Sequence, residues 1–313
     1  METNEKPFKT VDEQIELLKS RNVYIGEDRY DFYSNFLLRE NYYSVVNGYK
    51  DAFLDKQKSH EFGHDYYKDG TVFAQLAFLY VFDRNLREIT LSAIMEAETI
   101  IKTSLVYAFS FYNREENDAY LDPASYCKIK DYPNKKDYTR NLIKLLNALQ
   151  NAHENKSKPY ISHYLKEHGH VPLWVISSLL TFGNISAFFD LQKRNVKSAT
   201  CINICKSTEK DGSSLKPTRL KEIFRILVPY RNICAHGERL YCAKVGKRGY
   251  FTYRDLIFAL IDILPADRMH DFLLRVLSRF KYLEISDELR QDVLKAMHIS
   301  EKEINDLAEQ TSK

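Results

Sequence analysis

The chain has 313 residues, of which 44% are hydrophobic and 28% are charged. This size and composition are typical of a globular protein that buries a large core. No apolar run approaches the roughly 20 residues that a transmembrane helix needs, and the first residues do not have a signal-peptide pattern. Five cysteines without regular spacing indicate free thiols in a reducing compartment. Together these features predict a cytoplasmic protein with no membrane partner.

The net charge is only +3, but it is unevenly distributed along the chain. Residues 193–254 contain fifteen Lys or Arg and four acidic residues, a local net charge of +11, which leaves −8 for the remainder. A local positive field favours a polyanionic partner such as nucleic acid. A solvated Lys and Arg surface would have the same composition, so charge alone leaves both interpretations open.

The N-terminal part of the chain is predicted to be mainly helical. Thr10 and Glu13 have the spacing of a capping box, which predicts that a helix begins there. A second helix is predicted over residues 28–41, with Phe32, Phe36 and Leu37 facing the core. Residues 51–70 are rich in Gly, Asp and Lys and therefore indicate a loop.

The central part has the strongest helical periodicity. Residues 71–112 predict either two helices or one long bent helix. Within them, Asp83 and Arg87 have the i,i+4 spacing of an ion pair, which contributes only ~0.2–0.5 kcal/mol on an exposed face. A later helix that starts at Pro172 is predicted to be interrupted at Gly183.

The basic section contains an amphipathic helix that is predicted to begin at Thr218 and to end before Gly237. Pro229 lacks an N–H group and is predicted to kink or restart this helix. Strand signals are few and short, so the chain is predicted to be all-α. The remaining predicted helices lie around residues 252–264, 266–282, 286–297 and 300–310, the last two with Ser286 and Ser300 as N-caps.

One short pattern suggests a metal site. His60, Glu61 and His64 match the zinc metalloprotease pattern, in which two histidines one helical turn apart bind zinc and the glutamate acts as the base. The extended form of the pattern predicts a glycine and a third histidine, but Tyr67 and Gly70 occupy those positions. A zinc protease is therefore a less favoured alternative than the ribonuclease and the RNA-binding module described below. No metal or other cofactor is predicted.

The end of the helix before Gly237 carries three side chains that are suited to chemistry on a phosphodiester. Asn232 and His236 lie four residues apart, so they share one helical face. Arg231 is ~140° round the helix from His236 and ~7.5 Å along its axis, a distance that its long side chain can span. Histidine can transfer protons near neutral pH, and arginine can hold a phosphoryl group with two hydrogen bonds. Taken alone, the same residues are also typical of a solvated helix end.

Arg231, Asn232 and His236 resemble the ribonuclease motif of the HEPN superfamily. The wider sequence resembles the AbiD/AbiF-type abortive-infection (Abi-like) family. Four further stretches contribute to this resemblance. They are Lys6-Pro7-Phe8 with the helix at 13–18, Asn41-Tyr42-Tyr43 with Gly48-Tyr49, residues 80–87 (YVFDRNLR), and Trp174 with residues 182–186 (FGNIS).

The resemblance implies a HEPN-type helical bundle core with additional N- and C-terminal helices. It also implies a metal-independent endoribonuclease, in which the 2′-hydroxyl of the RNA attacks the adjacent phosphorus and leaves a 2′,3′-cyclic phosphate and a 5′-hydroxyl. His236 would transfer protons, Arg231 would stabilise charge and Asn232 would orient the reacting groups. Because the motif occurs once, a homodimer would form the composite site. DNA is not an expected partner.

The resemblance also implies control by a cognate small noncoding RNA. A non-catalytic module that only docks such an RNA is the main alternative to the nuclease.

The predicted segments are an N-terminal region (1–60), a HEPN-like core (71–260) and C-terminal helices (261–313), which together form one continuous unit. The predicted RNA-binding residues are Lys193, Arg194, Lys197, Arg219, Arg239, Lys244, Lys247 and Arg248.

Overall fold

The computed structural model describes residues 7–312, and over this range the chain is all-α, as predicted. Within that range it forms fourteen α-helices and three isolated β-bridges, with no sheet. The helices are α1 (Val11–Ser20), α2 (Tyr30–Glu40), α3 (Lys56–Phe62), α4 (Phe73–Tyr112), α5 (Lys135–His153), α6 (Pro159–His168), α7 (Leu173–Ile176), α8 (Phe182–Asp190), α9 (Arg194–Ser207), α10 (Pro217–His236), α11 (Tyr253–Ile263), α12 (Ala266–Lys281), α13 (Asp287–Met297) and α14 (Glu301–Thr311).

Helix α4 is the central element of the fold. It is a single helix of 40 residues, ~60 Å long at 1.5 Å per residue. It packs against α9, α10, α11 and α12, so it is covered on several sides. Half of its residues are buried for this reason, including the charged side chains of Asp83 and Arg87.

The helix starts that were predicted from capping residues, those of α1, α13 and α14, are confirmed. Thr10 Oγ1 accepts a hydrogen bond from the Glu13 N–H at 3.3 Å, and the Thr10 N–H donates to Glu13 Oε2 at 2.7 Å. Ser286 and Ser300 cap α13 and α14 by accepting the Leu289 and Glu303 N–H groups on their hydroxyl oxygens. Side-chain oxygens that accept these N–H groups stabilise a helix start by ~1 kcal/mol.

Four local predictions differ from the structure. Phe36 and Leu37 are buried as predicted, but Phe32 is 60% exposed, because the neighbouring Tyr33 completes the buried face of α2. Residues 51–70 include the short helix α3. The break predicted at Gly183 occurs before it, since Thr181 caps α8 and places Gly183 inside the first turn. In addition, α10 continues through Pro229 without restarting.

One hydrophobic core runs from Ile15 in α1 to Ala308 in α14. The C-terminal helices contribute to it, because α12 packs against both α14 and α4. Within residues 7–312, no helix combines the length and the apolar character that crossing a membrane requires. The fold therefore surrounds α4 with helices and leaves the end of α10 at the surface.

Candidate functional site

Arg231, Asn232 and His236 lie in the last two turns of α10. The helix ends at Gly237, which adopts a left-handed conformation with φ of 73°. The Gly237 and Glu238 N–H groups both donate to the Ile233 carbonyl, the latter at 3.1 Å. Glycine adopts this conformation without steric cost, so the sequence fixes where the helix stops and His236 becomes its last residue.

The opposite face of the same helix end is anchored in the core. Tyr230 and Cys234 are buried, and the Tyr230 hydroxyl donates to the Ala243 carbonyl at 2.8 Å. Asn232 and His236 are exposed on the outward face. By helix geometry they are one turn apart, ~6 Å along the axis, and ~40° apart around it. The two polar side chains can therefore act on one bound group.

Arg231 lies at the boundary between the two faces. Its side chain is partly buried, and its Nε atom is buried without a hydrogen-bond acceptor among residues 7–312. Buried N–H donors almost always have a partner in folded proteins. An unpaired donor beside two exposed polar groups is therefore a position where an added anion or a partner chain would supply the missing acceptor.

A fourth side chain lies on the outward face and was not predicted as a site residue. Arg225 is exposed, and among the described residues it forms no ion pair or side-chain hydrogen bond. It precedes Asn232 by seven residues, so it lies within ~20° of it around the helix and ~10 Å away along the axis. The seven-residue spacing was the signal that could have revealed it.

The segment that follows the motif is fixed by Asp83 of α4. Asp83 is fully buried and accepts hydrogen bonds from the Leu240 N–H at 3.0 Å, the Tyr241 N–H at 2.7 Å and the Tyr49 hydroxyl at 2.7 Å. Arg87 Nη1 lies 2.8 Å from the same carboxylate. The predicted ion pair is confirmed, but the energy of an exposed pair does not apply to it, because partners distant in sequence enclose it.

Arg87 extends this network to the end of α10. Its Nη1 atom also donates to the Glu238 carbonyl at 3.2 Å and to the Tyr49 hydroxyl at 3.1 Å. Complete burial raises the pKa of the Asp83 carboxyl, and the charge of Arg87 and the hydrogen bonds oppose that rise. We call Tyr49, Asp83, Arg87 and residues 238–241 the anchor network. It fixes the position where the motif helix ends.

A comparison with protein-family models gave a match to the family described as Abi-like protein, over residues 35–242. This range covers more than half of the chain. The chain belongs to the Abi-like protein family. Membership supports a role in abortive infection. Comparisons with curated proteins and with solved structures gave no match.

The eight cations predicted to bind RNA do not form one surface in this Abi-like protein. Lys193 and Arg194 are exposed at the start of α9, whereas Lys244, Lys247 and Arg248 are exposed in a turn after the motif. The Tyr230–Ala243 hydrogen bond holds that turn next to the motif end of α10.

The other three predicted cations already have protein partners. Lys197 is half-buried and donates to the Asp190 carbonyl at 2.7 Å, and burial lowers its pKa. Arg219 pairs with Asp262 at 2.6 Å, and Arg239 pairs with Asp51 at 3.3 Å. These ion pairs reduce their capacity to bind a phosphate backbone.

The zinc pattern does not have the required geometry. Helix α3 ends at Phe62, and Gly63 turns the chain with φ of 69°, so His60 and His64 do not share consecutive turns of one helix. The ring nitrogen Nδ1 of His64 lies 3.0 Å from the Asp65 carbonyl oxygen. Over residues 7–312, His, Cys, Asp and Glu side chains form no group of three or more that could hold a metal ion.

Proposed function

We propose that this Abi-like protein is a metal-independent endoribonuclease of the HEPN type that acts in abortive infection, with Arg231, Asn232 and His236 as its catalytic residues. One observation carries the proposal. Three groups suited to phosphodiester chemistry share an exposed helix end that buried contacts fix in place, and one of them, Arg231, has a buried Nε without an acceptor among residues 7–312. A solvated helix end does not require either feature.

The reaction needs no external nucleophile. The 2′-oxygen of the RNA forms a bond to the adjacent phosphorus while the bond to the 5′-oxygen of the next nucleotide breaks. A base takes the 2′ proton and an acid supplies a proton to the leaving 5′-oxygen, so the products are a 2′,3′-cyclic phosphate and a 5′-hydroxyl. His236 carries protons, Arg231 neutralises the negative charge that develops on phosphorus oxygens, and Asn232 orients the imidazole or a phosphate oxygen.

A homodimer completes this site in our proposal. One imidazole cannot act as base and acid at the same time, and the motif occurs once in the chain. The exposed part of this helix end includes the small side chain of Ala235, ~60° around the helix from Asn232, so a second α10 can approach closely. Each copy then contributes one histidine and one arginine. A cognate small noncoding RNA is the proposed regulator.

The proposal is tested by RNA cleavage in the presence of EDTA, with analysis of the product ends. We expect His236→Ala and Arg231→Ala each to reduce cleavage by about 100-fold or more, with unchanged circular dichroism. His163→Ala is the matched control, because His163 is an exposed helical histidine far along the chain from the motif. Cleavage by His236→Ala at the wild-type rate would refute the assignment.

The charge of residues 193–254 favours one alternative, a module that binds RNA without cleaving it. This alternative predicts that RNA is retained during purification, and that the protein freed of this RNA cleaves no RNA substrate. Cyclic-phosphate products that depend on His236 would exclude it. The same assay therefore separates the two functions.

A further inference from the structure

A cavity of about 1110 Å³ lies at the opposite end of α10 from the motif. It is formed by the starts of α9 and α10 and by the loop at residues 123–131. Thr218 at its edge and Arg231 are thirteen residues apart in one helix, hence ~20 Å along its axis. The cavity is therefore distinct from the proposed cleavage site, although one helix contributes to both.

The rim of the cavity is strongly cationic. Five exposed cations line it, and among the described residues none of them forms an ion pair. They are Lys128, Lys130, Lys193, Arg194 and Lys216. One acidic side chain, Asp131, is part of the lining. A concave surface with this charge concentrates anionic ligands.

Two helix starts contribute further positive potential. The N-cap residues of α9 and α10 are Lys193 and Lys216, and neither helix start has a side chain that accepts its free N–H groups. Cations at a helix N-terminus are unfavourable, since that end already carries a partial positive charge. Two such starts in one cavity are a local conflict that a bound anion would relieve.

A buried amide in the cavity lining has an acceptor without a donor. Gln192 lines the cavity and is 1% exposed. Its Nε2 donates to the Phe188 carbonyl at 3.0 Å, which fixes the amide orientation, while Oε1 has no donor among residues 7–312. Phosphate oxygens supply acceptors, whereas ribose hydroxyls and base amino groups supply the donor that Oε1 lacks.

The cavity wall is held in place without a ligand. The Cys127 N–H donates to the Leu191 carbonyl at 2.9 Å, which joins the loop to the residue that follows α8. The Tyr138 hydroxyl donates to the Cys127 carbonyl at 2.6 Å, which joins the same loop to α5. The cavity is therefore largely pre-formed, as binding sites for small molecules usually are.

We infer that this cavity binds a phosphorylated nucleoside, with its phosphate at the cationic helix starts and a sugar or base donor on Gln192 Oε1. The ligand is either a free nucleotide or one nucleotide of an RNA strand, and the second form rests on the proposed ribonuclease function. If the ligand is part of an RNA strand, the cavity holds that strand ~20 Å along α10 from the cleavage site.

Binding to the full chain tests the inference with three probes: adenosine 5′-monophosphate, inorganic phosphate and a fluorescent single-stranded RNA of ten nucleotides. The nucleotide and phosphate are measured by calorimetry and the RNA by anisotropy in the His236→Ala background. We expect Lys193→Glu with Arg194→Glu to weaken nucleotide or RNA binding by about tenfold or more. Lys295→Glu with Lys302→Glu, the same charge change on α13 and α14, should change it by less than about threefold.

Gln192→Leu separates nucleoside recognition from charge. We expect it to weaken adenosine 5′-monophosphate binding by about fivefold or more and to leave inorganic phosphate binding unchanged, since the inference places the sugar or base, and not the phosphate, at Oε1. Binding of the free nucleotide alone would identify a nucleotide ligand, and binding of the RNA alone would identify a strand. Equal binding by the two double-charge variants, or no effect of Gln192→Leu on any probe, would overturn the inference. An absence of RNA cleavage would refute only the proposed function.

Discussion

Asp83→Asn should be among the most destabilising single changes in this protein, although it preserves the size of the side chain. The carboxylate is fully buried, lies 2.8 Å from Arg87 and accepts two backbone N–H groups from Leu240 and Tyr241. Asparagine removes the negative charge that compensates Arg87. Its NH₂ group also replaces a carboxylate oxygen that accepts hydrogen bonds, so a donor then faces donors. Removing one member of a buried ion pair costs ~3–5 kcal/mol, and we expect a loss of this size.

The measurement is urea unfolding followed by circular dichroism, with Asp271→Asn as the matched control. Asp271 and Arg275 have the same i,i+4 spacing as Asp83 and Arg87, but both side chains are about half exposed or more. Their exposed pair should contribute at most ~0.5 kcal/mol. The two variants therefore compare one sequence pattern in two environments.

Hydrogen exchange locates the effect. In Asp83→Asn under native conditions, the amides of Leu240 and Tyr241 should lose protection more than those of α13, because their acceptor is Asp83. A destabilisation below about 1 kcal/mol, similar to that of Asp271→Asn, would show that the network does not stabilise the fold. Unchanged protection at residues 240 and 241 would show that it does not fix the end of the motif.

Two further predictions concern the motif helix and the thiols. Gly237→Ala should reduce the free energy of unfolding by ~1–2 kcal/mol because φ is 73°, and Gly212→Ala, at a site with open space and no positive φ, should be near neutral in the same urea titration. Burial raises the pKa values of Cys201 and Cys234 to about 12, so both carry little reactive thiolate at pH 8. Mass spectrometry after native alkylation should find them unmodified, and labelling as fast as in urea would contradict their burial.

Features determined by nearby residues could be predicted from the sequence. Thr10, Ser286 and Ser300 cap helices through residues three positions away, so a short window contains the whole interaction. The same holds for Gly237, whose freedom at positive φ ends α10. These positions required no knowledge of the tertiary structure.

Features determined by distant residues could not be predicted. Phe32 and Tyr33 are adjacent aromatics, and Tyr33 is the buried one because it packs against Phe73 of α4, with ring centroids 5.0 Å apart. The pair of Asp83 and Arg87 has the sequence pattern of an exposed salt bridge. Its burial depends on residues 238–241, more than 150 positions later.

The anchor network joins two of the stretches that carry the family resemblance to the end of the motif helix. Tyr49 belongs to the tyrosine-rich stretch, Asp83 and Arg87 belong to residues 80–87, and both stretches meet the chain directly after His236. The family match ends at residue 242, one position beyond Tyr241, the last residue that Asp83 binds. The matched region therefore contains the motif together with the buried groups that fix its position. The cavity at the other end of α10 lies within the same region, so a ligand there and a group at His236 would contact one continuous helix.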